Sequence, residues 1–324
     1  MTKHAPSAPQ IGARSRQWKR FLATTAVAAI VASSCGGDNA ADSSGSEEPT
    51  VLVTTSIWAD IVANVACDGL VEIETIVPPG ADPHAFEPSL SGRQRMDDAA
   101  LIITNGLGLE EGLDDTIDAA VNAGTPVLRV AEHIDTIVFS FDRDDDGNAR
   151  DPHVWFDPVR VSDVLPQIAQ RLVDELNIEA DAVDGCLRAY QAELAAVDAE
   201  IAAMVGQIPE RDRNLVTSHD ALGYFADRYG FDVIGTVIPS ASTLAETNPR
   251  QLEELAQIIE RAGVSAIFAE REHATDDAGA LASRVGNVAV VTLRTGSLGE
   301  PDGEAGTYLR FLLSNAELIA GALG

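Results

Sequence analysis

Three histidines of this chain follow predicted strands and have the side chain that late first-row metals favour. They are His84 in Gly-Ala-Asp-Pro-His, His153 in Asp-Pro-His-Val-Trp and His219 in Val-Thr-Ser-His-Asp, and the 324 residues contain six histidines in all. Neutral imidazole is a preferred ligand of zinc and also binds neighbouring metal ions. Because 69 and 66 residues separate the three, the pattern predicts one metal site that only a tertiary fold can assemble.

Two other histidines have simpler interpretations. His133 is expected at the surface, and His273 comes just before a predicted helix, where a capping or solvated role is expected. Asp220, next to His219, either orients that imidazole as a hydrogen-bond acceptor or caps the following helix. These two roles for Asp220 stay open at the level of sequence.

The elements that must position the histidines alternate between short apolar runs and longer amphipathic stretches. Strands are predicted at 51–55, 71–76, 101–104 and 127–130, and again at 215–217, 233–237, 266–269 and 288–293. Helical stretches are predicted near 57–66, 89–98, 111–122, 221–229, 249–262, 276–285 and 306–322. This alternation predicts an α/β fold with two parallel sheets flanked by helices, whose ligand site lies beyond the carboxyl ends of the strands.

A long helical region separates the two sets of strands. Residues 179–207 contain no proline and repeat apolar residues at helical spacing, which predicts one continuous helix of about 40 Å at about 1.5 Å per residue. Such a helix would act as a rigid connection between two lobes. The predicted division is an N-terminal lobe at 51–178, the linking helix at 179–207 and a C-terminal lobe at 208–324.

The amino-terminal segment is typical of an export signal. Residues 1–34 are basic and without acids, include a short apolar run, and end at Ala-Ser-Ser before Cys35. Cys35 is a predicted site of lipid acylation, although a plain cleaved signal is the alternative because alanine stands three places before it. Residues 35–50 have no apolar periodicity and are expected to form a flexible tether.

Charge and cysteine content narrow the possible functions. Beyond residue 34 the chain has 17 basic and 51 acidic residues, a net charge of −34, which disfavours nucleic acid as a partner. All of these basic residues are arginine, so a P-loop lysine, a Schiff base and a Ser-Lys dyad are excluded. Cys67 and Cys186 are an even pair in an oxidising compartment, either a disulfide or two buried thiols.

Seven motifs in order resemble the zinc and manganese solute-binding lipoproteins of ABC transporters. They lie at 77–89 (VPPGADPHAFEPS), 105–110 (NGLGLE), 151–158 (DPHVWFDP), 217–225 (TSHDALGYF), 267–270 (IFAE), 307–308 (TY) and Asn315. The resemblance spans nearly the whole chain beyond the tether. It implies a two-lobed extracytoplasmic receptor with one metal ion in the cleft, held by His84, His153 and His219.

The resemblance also implies zinc as the bound ion, because family members with histidine at the position of His219 tend to bind zinc and those with a carboxylate there tend to bind manganese or iron. Three imidazoles suit zinc better than manganese on chemical grounds as well. The implied partners are an ABC permease with its cytoplasmic ATPase and the membrane, through a lipid on Cys35. We expect a monomer that is not an enzyme.

One departure from the family leaves the fourth ligand open. The family usually supplies an aspartate before Ser-Leu-Gly near the carboxyl end, and Gly296 stands there in this chain. The candidates are Glu270, a water molecule, His273, and two acidic residues of the next loop, Asp302 and Glu304.

Two alternatives come from other functional classes. A three-histidine zinc hydrolase would use a metal-bound hydroxide, and turnover of ester or amide substrates would reveal it. A surface adhesin would need no metal, and its binding would be insensitive to a chelator.

Overall fold

The architecture was derived from a computed structural model that describes residues 49–67, 69–139, 149–240, 242–273 and 276–324. The predicted signal at 1–34, Cys35 and nearly all of the predicted tether at 35–50 lie outside the described residues. Within them, no helix is both long enough and apolar enough to cross a membrane.

The first lobe contains a four-stranded parallel sheet in the order β2-β1-β3-β4. Its elements are β1 (Thr50–Val53), α1 (Ser56–Val65), β2 (Glu72–Thr75), α2 (Leu90–Asp98), β3 (Leu101–Thr104), α3 (Asp114–Ala123) and β4 (Val127–Arg129). The central strands β1 and β3 are apolar runs that are buried almost throughout. This is the pattern of strands covered by helices on both faces, so the sheet forms the core of the lobe.

The second lobe repeats the same plan, with a parallel sheet in the order β6-β5-β7-β8. Its elements are β5 (Asn214–Thr217), α6 (Gly223–Tyr229), β6 (Asp232–Thr236), α7 (Pro249–Ala262), β7 (Ala266–Glu270), α8 (Asp277–Val285), β8 (Ala289–Leu293) and α9 (Tyr308–Leu323). The predicted fold class, two lobes with parallel sheets flanked by helices, is therefore confirmed.

Two packed helices connect the lobes. The helix α4 (Pro158–Leu176) begins where the Asp157 side chain accepts hydrogen bonds from the backbone N–H groups of Val159 and Arg160. The helix α5 (Ala180–Val205) follows after a short turn and covers the stretch predicted as one continuous helix. Its buried face packs against α4, α9 and α1, so the long helix is supported along its length.

Packing across the lobes is continuous. One buried apolar cluster includes residues of β1, β3, α4, α5, β7 and α9. The last helix, α9, contacts β7 and β8 of its own lobe and also α5 and α1. A disulfide joins Cys67, just after α1, to Cys186 in α5, with 5.4 Å between the Cα atoms. The connecting helices are thus tied to the first lobe by a covalent bond and to the second lobe by α9.

Candidate metal centre

The imidazoles of His84, His153 and His219 meet where loops of the two lobes face each other. The Nε2 atom of His153 is 3.3 Å from Nε2 of His84 and 3.1 Å from Nε2 of His219. One ligand nitrogen from each ring lies within 4.8 Å of the others, and all three residues are at most 3% exposed. A tetrahedral zinc site with Zn–N bonds of about 2.0–2.1 Å separates its ligand nitrogens by about 3.3 Å. The observed spacing fits a metal ion at the centre of the three rings.

Carboxylates fix which nitrogen of two rings faces the centre. The Nδ1–H of His153 donates to Oδ1 of Asp151 at 2.8 Å, and the Nδ1–H of His219 donates to Oε1 of Glu270. The Nε2 atoms of His153 and His219 therefore face each other, each with a lone pair, unless one of the two rings carries an extra proton. Such an arrangement is unfavourable without a cation between the rings, and a metal ion supplies one.

Burial and neighbouring charges shift the pKa values of the three rings, in two different directions. Burial and the nearby His219 hold the pKa of His153 well below its ordinary value, and burial with both neighbouring rings does the same for His84. Burial also opposes protonation of His219, but the Glu270 carboxylate outweighs it, so the pKa of His219 is raised. In the absence of metal, a proton in this cluster is expected to reside on His219.

Two copies of one local motif position the candidate ligands of the first lobe. In each Asp-Pro-His segment the aspartate side chain accepts a hydrogen bond from the histidine backbone N–H, over 3.0 Å for Asp82 and His84 and 2.9 Å for Asp151 and His153. Because the proline between them restricts the backbone, this short turn holds each histidine in place. The repeated Asp-Pro-His is the sequence signal from which the supporting aspartates could have been predicted.

The loop of His153 is also held by a buried network on the first sheet. Glu110 accepts four hydrogen bonds of 2.6–3.1 Å, from the side chains of Thr54 and Thr104 and from the backbone N–H groups of Asn105 and Gly106. The Asn105 amide in turn donates to the carbonyl of Pro152 at 2.9 Å. Through this chain of contacts, the segment 105–110 fixes the residue that precedes His153.

The third ring, His84, has a looser carboxylate neighbour. Its Nδ1 atom is buried and has no hydrogen-bond partner among the described residues, while Oε1 of Glu111 lies 3.9 Å away. That distance is too long for a hydrogen bond. Of the three imidazoles, His84 is consequently the one whose orientation depends least on a carboxylate.

The lobes close over the histidines and leave very little space. The volume of the cavity that is open to the centre of a water molecule is only about 10 Å³. This is room for about one water molecule or ion. Residues of both lobes line it: Asp82, Pro83, His84, His153, Trp155, His219, Thr243, Glu270, Glu272, Thr295 and Gly296. Three hydrogen bonds cross the cleft beside it, from Trp155 Nε1 to the Thr295 carbonyl, from Thr243 Oγ1 to Asp82 Oδ2 and from the Gly80 N–H to Ser297 Oγ.

The other candidates for the fourth ligand lie at different distances from the centre. Glu270 contacts His219 at Nδ1, and its oxygens are not within the group of ligand atoms formed by the three rings; a direct bond from Glu270 to the ion remains a prediction. His273 has its Nδ1 atom 3.6 Å from Oδ2 of Asp82 and is not among the residues that line the cavity. Asp302 and Glu304 line a separate surface groove with residues of α9.

The contacts also bear on the neighbouring residues Asp220 and His133. The acceptor for Nδ1 of His219 is Glu270, and the N-cap residue of the following helix, α6, is Leu222 without a side-chain cap hydrogen bond, so neither role predicted for Asp220 is confirmed. His133 lies in a short 3₁₀ turn and is exposed, as expected from sequence.

This arrangement of two linked α/β lobes with a buried ligand site between them defines a class of solute-binding receptors. The chain belongs to the family described as zinc-uptake complex component A, periplasmic (ZnuA), whose model matches residues 51–322. Among its relatives, the zinc-binding protein TroA of Treponema pallidum is 30% identical over 287 residues, which are 87% of this chain and 91% of TroA. The manganese-binding lipoprotein MntA of Halalkalibacterium halodurans is 30% identical over 244 residues, 75% of this chain and 78% of MntA.

Solved structures agree with this assignment. The periplasmic zinc-binding protein TroA from Treponema pallidum superposes with a TM-score of 0.78 at 29% identity, covering 86% of this chain and 99% of that one. A manganese-bound mutant of a periplasmic metal-binding protein from Candidatus Liberibacter asiaticus gives a TM-score of 0.76 at 26% identity, covering 85% of this chain and 100% of that one.

Proposed function

We propose that this protein captures Zn²⁺ outside the cytoplasm and delivers it to an ABC permease for import. The observation that carries the proposal is the convergence of three buried imidazoles from two lobes, in which Nε2 of His153 lies from each of the other two Nε2 atoms at about the separation of a tetrahedral zinc site. Two of the rings come from loops of the first lobe and one from the second. Capture and release are therefore coupled to the approach and separation of the lobes.

The donor set supports zinc as the cargo. Three neutral imidazoles suit zinc, whereas manganese favours carboxylate, carbonyl and water oxygens. Mn²⁺ is the second candidate because MntA is named as manganese-binding and because three carboxylates, Asp82, Glu270 and Glu272, also line the cavity. An Fe²⁺ receptor of the same family is covered by the same test.

The proposed cellular setting follows from the amino-terminal segment. Residues 1–34 would direct export, acylation of Cys35 would hold the protein at the membrane, and residues 35–50 would let the lobes reach the permease. The permease would work with a cytoplasmic ATPase, and the receptor would act as a monomer. We propose domain borders at 51–178, 179–207 and 208–324 for this receptor.

A receptor is favoured over an enzyme by the size of the site. A cavity for about one water molecule or ion has no room for an ester or amide beside the metal. Turnover of such substrates by the zinc-loaded protein would favour the hydrolase alternative. Binding of the protein to a surface, unchanged by a chelator, would favour an adhesin.

Metal analysis and competition titration test the proposal. Protein purified without chelator should contain one equivalent of zinc and should bind zinc more tightly than manganese. His153→Ala should weaken zinc binding by more than the about 10–100-fold cost of losing a supporting group. His133→Ala is the matched control, because that histidine is exposed and away from the cavity. Equal zinc isotherms for His153→Ala and the wild type would contradict the proposal.

A further inference from the structure

Glu272 is an acidic residue that sequence analysis did not single out and that lies at the metal cavity. It follows the end of β7 by two residues and lines the cavity together with Gly296. Its side chain is only 2% exposed. A carboxylate this deeply buried is costly unless its oxygens are paired, so its partners indicate what it is placed there to do.

Only one oxygen of Glu272 is paired. Oε2 accepts a hydrogen bond from the backbone N–H of Thr295 at 3.1 Å. Oε1 is buried and has no hydrogen-bond partner among the described residues, and the nearest cation, Nη1 of Arg294, is 3.9 Å away. Burial, in accord with this, raises the pKa of Glu272. A buried carboxylate oxygen without a donor calls for a partner that the protein itself does not supply.

The other carboxylates of the cavity have less to offer an ion. Asp82 uses Oδ1 to accept from the His84 N–H and Oδ2 to accept from Thr243 Oγ1. Glu270 uses Oε1 for the His219 ring. Glu272 is thus the cavity carboxylate with an oxygen that is both buried and unpaired.

The position of the Glu272 carboxylate is also relevant to the missing side chain at Gly296. The hydrogen bond to Thr295 anchors the Glu272 carboxylate next to residue 296 on the chain, and both residues line the same cavity. Gly296 itself offers no ligand atom. The Glu272 carboxylate is therefore held beside the position at which the family usually has its aspartate.

We propose that the carboxylate of Glu272 turns toward the captured ion, binds it through Oε1 as the fourth ligand and completes a site of three imidazoles and one carboxylate. In the structure its oxygens, like those of Glu270, lie outside the group of ligand atoms formed by the three rings, so binding requires this movement of the side chain. This inference rests on the proposed function and deepens it. Zinc sites are four-coordinate with nitrogen and carboxylate oxygen donors at about 2.0–2.2 Å. The negative charge of Glu272 also offsets part of the charge of the ion in a closed cavity, where an uncompensated charge is expensive. Because manganese favours oxygen donors, the loss of this carboxylate should weaken manganese binding more than zinc binding.

The test compares Glu272→Gln with Glu304→Gln, both in the full chain. The first replaces the buried carboxylate by an amide of the same size, and the second makes the same change at an exposed glutamate of the same lobe, in a separate groove. Chelator competition should show zinc affinity lowered by at least about tenfold in Glu272→Gln, with a larger loss for manganese. Glu304→Gln should match the wild type. With Co²⁺ in place of zinc, the visible absorption spectrum should change in Glu272→Gln alone.

A second measurement needs no variant and covers the case in which Glu272→Gln fails to fold. In a crystal structure of the zinc-loaded wild type, Oε1 of Glu272 should lie about 2.0–2.2 Å from the ion. The inference would be overturned if a folded Glu272→Gln had the zinc affinity and the cobalt spectrum of the wild type. It would also be overturned if the crystal showed an ion bound by the three histidines without Glu272. Either result would leave the proposal of a three-histidine receptor intact. A wild type that binds no zinc would instead overturn the proposed function, and with it this inference.

Discussion

Gly296→Ala should weaken metal capture, because this position sits where the two lobes touch. A Cβ added at Gly296 would lie 2.8 Å from Cδ and 3.1 Å from Cγ of Pro83, whereas carbon atoms in favourable contact are about 3.5–4.0 Å apart. The loops must therefore separate by about 0.7 Å or more. The hydrogen bond from Trp155 Nε1 to the neighbouring Thr295 carbonyl is 2.9 Å, and the same displacement would stretch it beyond hydrogen-bond range.

The size of the effect follows from the cost of overpacking, which is about 1–3 kcal/mol. If this cost falls on the closed state alone, zinc affinity should fall by about 5- to 150-fold, since about 1.4 kcal/mol is tenfold. Pro83→Ala in the same chain removes the clashing ring atoms, so the double variant should recover part of the affinity. Gly279→Ala is the control, because nothing lies within 4 Å of its added Cβ in the exposed part of α8.

Chelator competition measures the zinc affinity of each variant, and a thermal melt of each metal-free variant measures its stability. The reasoning predicts a loss of affinity in Gly296→Ala with little change in the metal-free melting temperature. It is refuted by wild-type affinity in Gly296→Ala, or by a double variant whose losses simply add.

Three further predictions concern support, charge and covalent structure. Glu270→Gln should lower zinc affinity about 10–100-fold because a neutral amide oxygen accepts the hydrogen bond from Nδ1–H of the His219 ring more weakly than the carboxylate does, and competition titration checks it against the wild type. Zinc affinity should fall as the pH drops through the raised pKa of His219, because the protonated ring must lose its proton to bind the ion, whereas His84 and His153 remain neutral well below that point. Competition titration at several pH values measures this, and a zinc affinity that does not fall on acidification would contradict the shift. Reduction of the disulfide at Cys186 should lower the free energy of unfolding by about 2–5 kcal/mol, since it closes a long loop, and urea unfolding with and without reductant measures this.

Most of the fold was accessible from the sequence because its signals are local. Buried strands such as β3 (Leu101–Thr104) are short apolar runs between turn residues, and each was predicted to within a few positions. The bounds of α4 were not predicted. It begins at Pro158 and contains a second proline, Pro166, and the helical region was recognised only as a whole.

Only some residues of the candidate metal site could likewise be predicted from local sequence. His84, His153 and His219 were found by residue type and by the motifs around them, while the role of Glu270 beside Nδ1 of His219 was not, because 51 residues separate them. Glu272 gave no signal at all, since an isolated glutamate after a strand is ordinary. Its burial and its unpaired oxygen exist only in the folded chain.

By itself, the order of residues determined the two α/β lobes, the long connecting helix and the three imidazoles available for a metal, because helical period, strand period and turn chemistry act over a few neighbours. Tertiary structure alone decided that the three imidazoles meet in one cavity, that carboxylates hold two of the rings, and that Pro83 lies against Gly296. Those outcomes depend on distances between residues far apart in the chain, which are set when the sheets and helices pack and not before.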